Sequence, residues 1–415
     1  MEVREYEPEK ELAQSKAEDR YGDLINMGEP MQEPKMIKVV GVGNGGCNAV
    51  DNMYAENIEN VSCLICDSNN SALQSHKSVP RRLLLGDGAG FGGNVGRGRE
   101  VTEAQADEIR DALNDGAKMV IIATALGGGT GTAAAPIVAR EAKKLGLLTI
   151  AIAILPPSRE KLPRILPALD GLDMLAKEVD ALLVISNDRI QEVYSEEAVD
   201  VGFKMADNVL CDAVRSIAGI ISMIGIITMD FSDIKTALTK SGVAVISTGK
   251  GIGTNRVTDA IEKAITSPIL NNNDVYKATH LLIRITYDKT GGSVLQMKEF
   301  KQIDAFADKF DKNTWVKVGI DAEEGLGEEV RVTILAAGFG LYEVQDDAEK
   351  SNTDDVRIKR FYPTLASNEA PKPAVPSDTD DPKDEPGEEP PSTSEPEGKG
   401  LWNKFSDFVE KMLND

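Results

Sequence analysis

Residues 119–132 read MVIIATALGGGTGT, an apolar run that enters four glycines in six residues, Gly127-Gly128-Gly129-Thr130-Gly131-Thr132. The stretch that follows, AAAPIVAREAKKLG, has helical character and ends at Gly146, a suitable C-cap. Such a strand–glycine–helix succession lets several backbone N–H groups converge on one anion, with the partial positive charge of a helix start behind them. Thr130 and Thr132 can add hydroxyl donors or cap the helix. The loop holds no lysine, so it is not the lysine-bearing phosphate loop. Gly249-Lys250-Gly251 does not supply that motif either, since neither Ser nor Thr follows the lysine. A merely structural reason for so many glycines at a strand's end is hard to find. The stretch predicts a phosphate site.

A similar succession occurs upstream. IKVV runs into Gly41-Val42-Gly43-Asn44-Gly45-Gly46, with a helix predicted to open at Asn48 and an acid, Asp67, about twenty residues on. Taken alone, this G-x-G-x-x-G predicts a dinucleotide site, or else a tight strand-to-helix turn with no ligand. A third cluster, Gly86-Asp87-Gly88-Ala89-Gly90-Phe91-Gly92-Gly93-Asn94, follows RRLLL. The runs IKVVGV, SCLIC, RRLLL, MVIIATAL, LLTIAIAIL and ALLVIS are apolar at almost every position, as central strands covered on both faces are. The expected fold class is therefore α/β, with a doubly wound parallel-sheet domain over 36–200. Three glycine loops after strands of one sheet would open together on its carboxyl edge. That suits a triphosphate better than a dinucleotide.

The remaining chain divides by composition. Residues 1–35 read as a flexible acidic extension. A long helix and its following turn are predicted over 201–228, where VGFKMADNVLCDAVRSIAGIIS repeats apolar residues at three- and four-residue steps. Residues 229–340 mix helices such as VTDAIEKAIT with strands such as THLLIRITY and EEVRVTILAAG, which predicts a smaller α+β domain. Residues 341–399 read as a disordered acidic linker, because eight of the nineteen prolines fall between Pro371 and Pro396. Residues 400–415 predict a short amphipathic helix. Leu401, Phe405, Phe408, Val409 and Met412 share one face with Trp402 at its edge, which favours docking to a partner or membrane surface over folding back on the body.

Charge and composition exclude several classes. The net charge of −22 is concentrated in the tails: residues 1–35 carry ten acids and five bases, and 341–415 carry nineteen and nine. This argues against nucleic acid as the main partner, since phosphate backbones need a basic face. No apolar run approaches the roughly 18–20 residues that span a bilayer, and the acidic N-terminus lacks a signal-peptide layout. A cytoplasmic protein without a transmembrane segment is expected. Cys63 and Cys66 have C-x-x-C spacing inside VSCLIC, without a second pair and with only His76 and His280 in the chain. They predict cysteines packed in a buried strand rather than a metal or redox site.

GGGTGT before a helix resembles the signature loop of the tubulin/FtsZ family of polymerising GTPases, and IKVVGVGNGGCNAVDNM resembles the FtsZ opening. VDALLVISNDRI, FKMADNVL, MDFSDIKTAL and EEVRVTILAAGFG are similar to further FtsZ blocks, so the resemblance covers about residues 36–340. It implies the tubulin/FtsZ fold and a GTPase that polymerises head-to-tail, forming the division ring at mid-cell in a prokaryote. By that resemblance Asn44, Gly45, Gly46, Ala89 and Gly90 line the phosphates beside Gly127, Gly128, Gly129, Thr130, Gly131 and Thr132. Glu160 and Arg164 resemble the pair at the ribose and phosphate end. Asn48, Asn187 and Asp207 resemble the guanine-reading set, with Phe203 against the base. A carboxylate accepting from guanine's N1–H and amino group selects against adenine. The family's hydrolytic acids map to Asp230 and Asp233, which would complete the site of the next subunit and orient the attacking water. Read without the resemblance, two acids three apart are more often a helix N-cap and its first turn. Mg²⁺ would be held mainly through the phosphates of GTP or GDP, with no metal site of the protein's own. The implied partners are further copies of the chain, and membrane-tethering or division proteins at the C-terminal helix.

Some positions depart from the FtsZ pattern. Thr228 stands where an asparagine is usual and Ile224 where a proline is common. Ala133 replaces the last glycine of the longer signature, and Ile154 and Pro157 replace a threonine and a phenylalanine. The usual C-terminal peptide is not recognisable. The departures fall more on the hydrolytic loop than on the binding residues. The alternative reading is thus a divergent filament-forming or regulatory paralogue that binds GTP with little hydrolysis. A metabolic dinucleotide enzyme is a third, resting on G-x-G-x-x-G alone.

Overall fold

The computed structural model describes residues 35–196, 199–222, 225–267, 275–290, 294–341 and 353–366, with backbone alone for 199–207, 353, 364 and 366. The expected N-terminal extension, most of the linker and the C-terminal helix lie outside these residues. The first half runs β1 (Ile37–Val42), α1 (Gly43–Ala55), β2 (Val61–Asp67), α2 (Asn70–Ser75), β3 (Arg82–Leu84), α3 (Val95–Ala104) and α4 (Ala106–Leu113). It continues through β4 (Met119–Ala125), α5 (Gly129–Lys144), β5 (Leu148–Leu155), α6 (Leu162–Glu178), β6 (Ala181–Ser186), α7 (Asn187–Val193) and the long α8 (Val199–Ile221). Beyond it come α9 (Phe231–Leu238), β7 (Gly242–Gly251), α10 (Arg256–Ile265), β8 (His280–Tyr287), α11 (Met297–Ala307), β9 (Trp315–Ala322) and β10 (Val330–Phe339). Two short helices, α12 (Thr353–Phe361) and α13 (Pro363–Ala366), close the described chain.

Each of the six apolar runs forms a strand, and β1 to β6 pair in parallel in the order β3-β2-β1-β4-β5-β6. β1 shows why such a run needs no alternation. All six of its residues are buried: Ile37 and Val39 face one core, Val40 and Val42 the other. Lys38 is the exception in chemistry but not in burial. Its ammonium donates to the Ala112 carbonyl at 2.6 Å and pairs with Asp115 at 2.8 Å, while burial lowers its pKa.

Cys63 and Cys66 both lie buried in β2. Three residues apart on a strand, they point into opposite cores and cannot share a ligand. Burial pushes both thiols up to about 12. Gly249 and Gly251 lie in β7, where a side chain at either position would strike the backbone of α10 at Ala260 or Arg256. Those two glycines serve helix–strand packing.

α8 joins the halves. Leu210, Val214 and Ile217 are buried in a core that also takes Leu183 of β6, Ala244 of β7, Leu282 of β8 and Leu335 of β10. The second half adds a core of its own, built from α10, α11 and the other face of β8 and β10. β7 continues the sheet beside β6 through two residue pairs, followed by antiparallel β10 and β8 and then β9 parallel to β8. Mixed pairing of this kind is what an α+β segment with hairpin-like returns produces.

The linker expectation needs correction at 353–366. These residues fold as α12 and α13 against the first half, because enough apolar and paired surface is present to offset their ordering. Tyr362 is 1% exposed, and Ile358, Phe361 and Leu365 pack around the same core. Arg357 is buried and pairs with Asp170 at 2.7 Å and Asp173 at 3.3 Å, both on α6.

A buried acid ties the outer helices together. The Glu141 side chain on α5 is fully buried and meets Arg110 at 2.6 Å, Lys144 at 2.8 Å and Arg140 at 3.0 Å. Burial alone would raise its carboxyl, but the three cations more than offset that and hold it at about 2. Its stabilising contribution is thus complete above about pH 4.5 and lost as pH falls toward 2. Glu141→Gln is expected to cost about 2 kcal/mol at neutral pH, between values for exposed and for buried pairs. The Tm gap from wild type should narrow as melting is repeated from pH 5 down to pH 3. A gap independent of pH would refute the ionic origin.

Candidate functional site

α1 and α5 begin side by side where the strand order reverses, between β1 and β4. Both helices start earlier than their sequences suggest. The glycines expected to form loops before them are instead their first turns: α1 opens at Gly43 rather than Asn48, and α5 at Gly129. Close approach explains the composition. A Cβ on Gly43 would sit 2.8 Å from the Gly131 nitrogen, and one on Gly45 would sit 2.6 Å from the Ala125 Cβ. One on Gly131 would sit 2.7 Å from the Thr124 Oγ1. A side chain at Gly43 would drive the two helix starts apart, and one at Gly45 or Gly131 would push its helix off the end of β4.

Neither helix start is neutralised. No side chain caps α1 or α5, and neither has an acid in its first turn. Their first-turn N–H groups therefore keep unfilled hydrogen-bonding capacity beside one another, a pair of positive dipole ends. A Cβ at Gly128 would meet nothing within 4 Å, so the approach to α5 is open. Thr132 turns inward instead, its Oγ1 accepting from the Gly127 N–H at 2.9 Å.

The third glycine cluster closes against the start of α5. A Cβ on Gly129 would lie 3.0 Å from the Gly93 nitrogen. Ser68, at the end of β2, binds both neighbours: its Oγ lies 2.6 Å from the Thr130 Oγ1, and its carbonyl accepts from the Gly90 N–H at 2.8 Å. Ala89 bridges Asn69. Asp67 does not stand open for a ribose. It is 3% exposed, its carboxylate accepts from the Asn69 N–H at 2.8 Å, and burial raises its pKa.

Asn44 and Asn48 are exposed one turn apart on α1. After β5, Glu160 and Arg164 pair at 3.0 Å. The Arg164 carbonyl oxygen and Pro156 lie 3.2 and 3.3 Å from where a Gly127 Cβ would be, so this segment borders the central glycines. Asp188 fastens it from α7, accepting from the Ser158 N–H at 2.9 Å beside Asn187. Phe203 and Asp207 lie on the first half of α8, but their side chains are outside the described residues.

Asp230 and Asp233 are not brought to this edge. They follow α8, whose run from Asp207 to its end is roughly 20 Å at 1.5 Å per residue. Here they form a capping box on α9: Asp230 accepts from the Ser232 and Asp233 N–H groups, and Asp233 accepts from the Asp230 N–H at 3.1 Å. The Ser232 hydroxyl, with the Asp233 and Ser232 amides, holds the exposed Asp230 carboxyl below its ordinary range. Asp233 also pairs with Lys317 of β9 at 3.3 Å. The local reading of these acids as a cap holds, and it leaves Asp230 exposed. Ser68, Asp188 and Lys317 are additions that sequence reasoning does not supply. Asp188 could have been found beside Asn187 at a strand's end, whereas Ser68 and Lys317 carry no sequence signal.

Residues 36–195 match the model of the Tubulin/FtsZ family GTPase domain, and residues 242–340 match that of the FtsZ family C-terminal domain. The chain is 41% identical over 313 residues to the cell division protein FtsZ of Porphyromonas gingivalis, covering 74% of this chain and 68% of that one. The chain belongs to the FtsZ family. The Coxiella burnetii FtsZ is 36% identical, with 77% and 83% of the two chains covered. A solved structure of FtsZ from M. jannaschii, an empty dimer, superposes with a TM-score of 0.65 at 31% identity over 80% of this chain and 93% of that one.

Within this FtsZ-family fold the departures acquire locations. Ala133 is fully buried opposite Gly98, where a Cβ would lie 2.8 Å from the Ala133 Cβ. The methyl that replaces a glycine is accommodated by a glycine across from it. Thr228 is exposed, in a segment held to β9 by reciprocal Ile227–Ile320 backbone bonds of 3.3 and 2.9 Å. Ile224 lies outside the described residues. Among the described residues, no cluster of three or more His, Cys, Asp or Glu could hold a metal ion, and no helix is long and apolar enough to cross a membrane.

Proposed function

We propose that this FtsZ-family GTPase binds GTP at the shared edge of α1 and α5, hydrolyses it, and assembles head-to-tail into filaments of a prokaryotic division ring. The observation that carries the reading is the pair of uncapped helix starts at the switch point, closed around by the Gly86–Asn94 cluster. Backbone N–H groups of Gly45, Gly46, Gly129 and Thr130 would take the phosphate oxygens, with Asn44, Ala89, Gly90 and the rest of Gly127–Thr132 shaping the cradle. Glu160 and Arg164 would hold the ribose end. Asn48, Asn187 and Asp207 would read guanine, with Phe203 against the ring.

Mg²⁺ held by the phosphates would offset charge developing on them. Asp230 and Asp233 of the next subunit would orient the attacking water and accept its hydrogen bonds. Their place beyond the far end of α8 supports this division of labour, since one chain cannot fold them onto its own glycine edge. Cytoplasmic assembly at mid-cell, with partners or membrane engaged through residues 400–415, belongs to the same proposal.

The test is phosphate release measured against protein concentration. Specific activity should be near zero below a critical concentration and rise above it. Activity per molecule that stays constant with concentration would sink the shared site. A second reading, GTP binding with little turnover, is favoured by the engagement of both acids in a capping box and of Asp233 with Lys317. GTP-dependent pelleting without phosphate release would select it.

A further inference from the structure

The segment from Pro156 to Arg164 carries the proposed ribose-end pair, and its shape is imposed from outside. Lys161 has a positive φ of 62°, a conformation a lysine does not adopt without restraint. Three anchors restrain the segment. Asp188 holds Ser158 by its N–H and its hydroxyl, at 2.9 and 3.2 Å. Glu160 holds Arg164 across one helical turn. The third anchor comes from more than two hundred residues away: the Tyr362 hydroxyl donates to the Pro156 carbonyl at 2.7 Å.

Tyr362 is placed for that bond by the whole arm. Its ring is buried with Ile358, Phe361 and Leu365 in the core beneath α6. Arg357 ties the arm to Asp170 and Asp173 farther along α6, the helix that begins at Leu162 within the segment and holds Arg164 in its first turn. Asp188 and Glu160 lie near enough to Tyr362 to add to burial in pushing its phenol above the ordinary range. The arm thus grips the segment at its first residue and at the helix that ends it.

We propose that residues 353–366 are a working part of the nucleotide site, with Tyr362 a positioning residue that sets the Pro156–Arg164 segment through Pro156. Release of the arm loosens Glu160 and Arg164 and weakens guanine-nucleotide binding. By linkage, bound nucleotide strengthens docking of the arm by the same factor. The occupancy of the site is therefore reported to whatever chain follows residue 366. This inference rests on the reading of the glycine edge as a guanine-nucleotide site.

Two measurements on the full chain test it, both with GDP. Tyr362→Phe keeps the buried ring and removes only the bond to Pro156; it should release GDP about five- to ten-fold faster. Amide exchange in 353–366 should slow when GDP is added to the wild type. Ile303→Val, in the separate core of the second half, provides a control: it lowers Tm but should leave GDP release unchanged, which separates positioning from general stability. Wild-type GDP release by Tyr362→Phe, or exchange in 353–366 indifferent to GDP, would overturn the proposal while leaving the site intact. A wild-type chain that binds no GDP would overturn both this inference and the site on which it rests.

Discussion

Asp230→Asn is expected to reduce GTP hydrolysis by about 100-fold or more while GTP binding and polymer yield stay at wild-type levels. The choice of asparagine separates two roles that alanine would confuse. Asp230 is the N-cap of α9, accepting from the Ser232 N–H at 2.8 Å, the Ser232 hydroxyl at 2.6 Å and the Asp233 N–H at 3.2 Å, all through Oδ1. Asparagine offers the same oxygen and caps as well as aspartate, whereas alanine would cost about 1 kcal/mol of cap. Asp230→Asn should therefore melt with the wild type. Loss of the full charge removes the group proposed to polarise water in the neighbour's site. Asp233→Asn should lose hydrolysis alike; its amide oxygen still accepts from the Asp230 N–H, but its ion pair with Lys317 is lost, so it should melt slightly below the wild type. Unchanged phosphate release by Asp230→Asn at a concentration where the wild type is assembled would mean that these acids are only a cap.

Gly46→Ala is expected to destabilise the first half by about 3 kcal/mol and to abolish nucleotide binding with it. The first turn of α1 lies flat on β4: a Cβ at this position would fall inside contact distance of the carbonyl oxygen of Ala123, a fully buried residue of a central strand. β4 is held between β1 and β5 along its length and cannot yield. The helix start must move instead, which also pulls its N–H groups away from those of α5. Gly128→Ala supplies the contrast. It has an extended φ of −89° and a methyl there meets nothing within 4 Å. It should change stability by less than about 0.5 kcal/mol. Thermal melting with and without GDP reads both variants. Equal behaviour of the two would refute close packing as the reason for the glycines.

The contrast between these two glycines shows how far the amino-acid pattern reaches. GGGTGT announces an anion site because of what glycine permits, but it does not say which glycine is needed for packing and which leaves an approach open. Gly131 packs against Thr124 and Gly128 faces open space, a distinction created by the neighbouring strand. The helix starts lie earlier than the pattern suggests for a related reason. Glycine has poor intrinsic helix propensity, so Gly43–Gly46 and Gly129–Gly131 read as loops. Contact with β1 and β4 overrides that preference and draws the turns into α1 and α5. The arm at 353–366 is hidden by its surroundings: a short amphipathic piece inside acidic, proline-rich chain has a disordered average composition. Its order depends on Asp170, Asp173 and Pro156, which local composition cannot reveal.

What the sequence determined by itself was whatever is written in local, periodic chemistry. The fully apolar runs marked the six parallel strands, glycine clusters after three of them marked the edge where a phosphate would lie, and the family blocks identified the fold. What only the tertiary structure decided was the company each residue keeps. The strand order places two uncapped helix starts at one switch point, and Ser68 ties two glycine segments together. The length of α8 keeps Asp230 and Asp233 from their own chain's glycine edge, and Tyr362 reaches back to the turn that bears Glu160. The physical reason is the same throughout: propensity and hydrophobic patterning act between near neighbours in sequence, whereas backbone approach, ion pairing and burial depend on residues that folding alone makes neighbours.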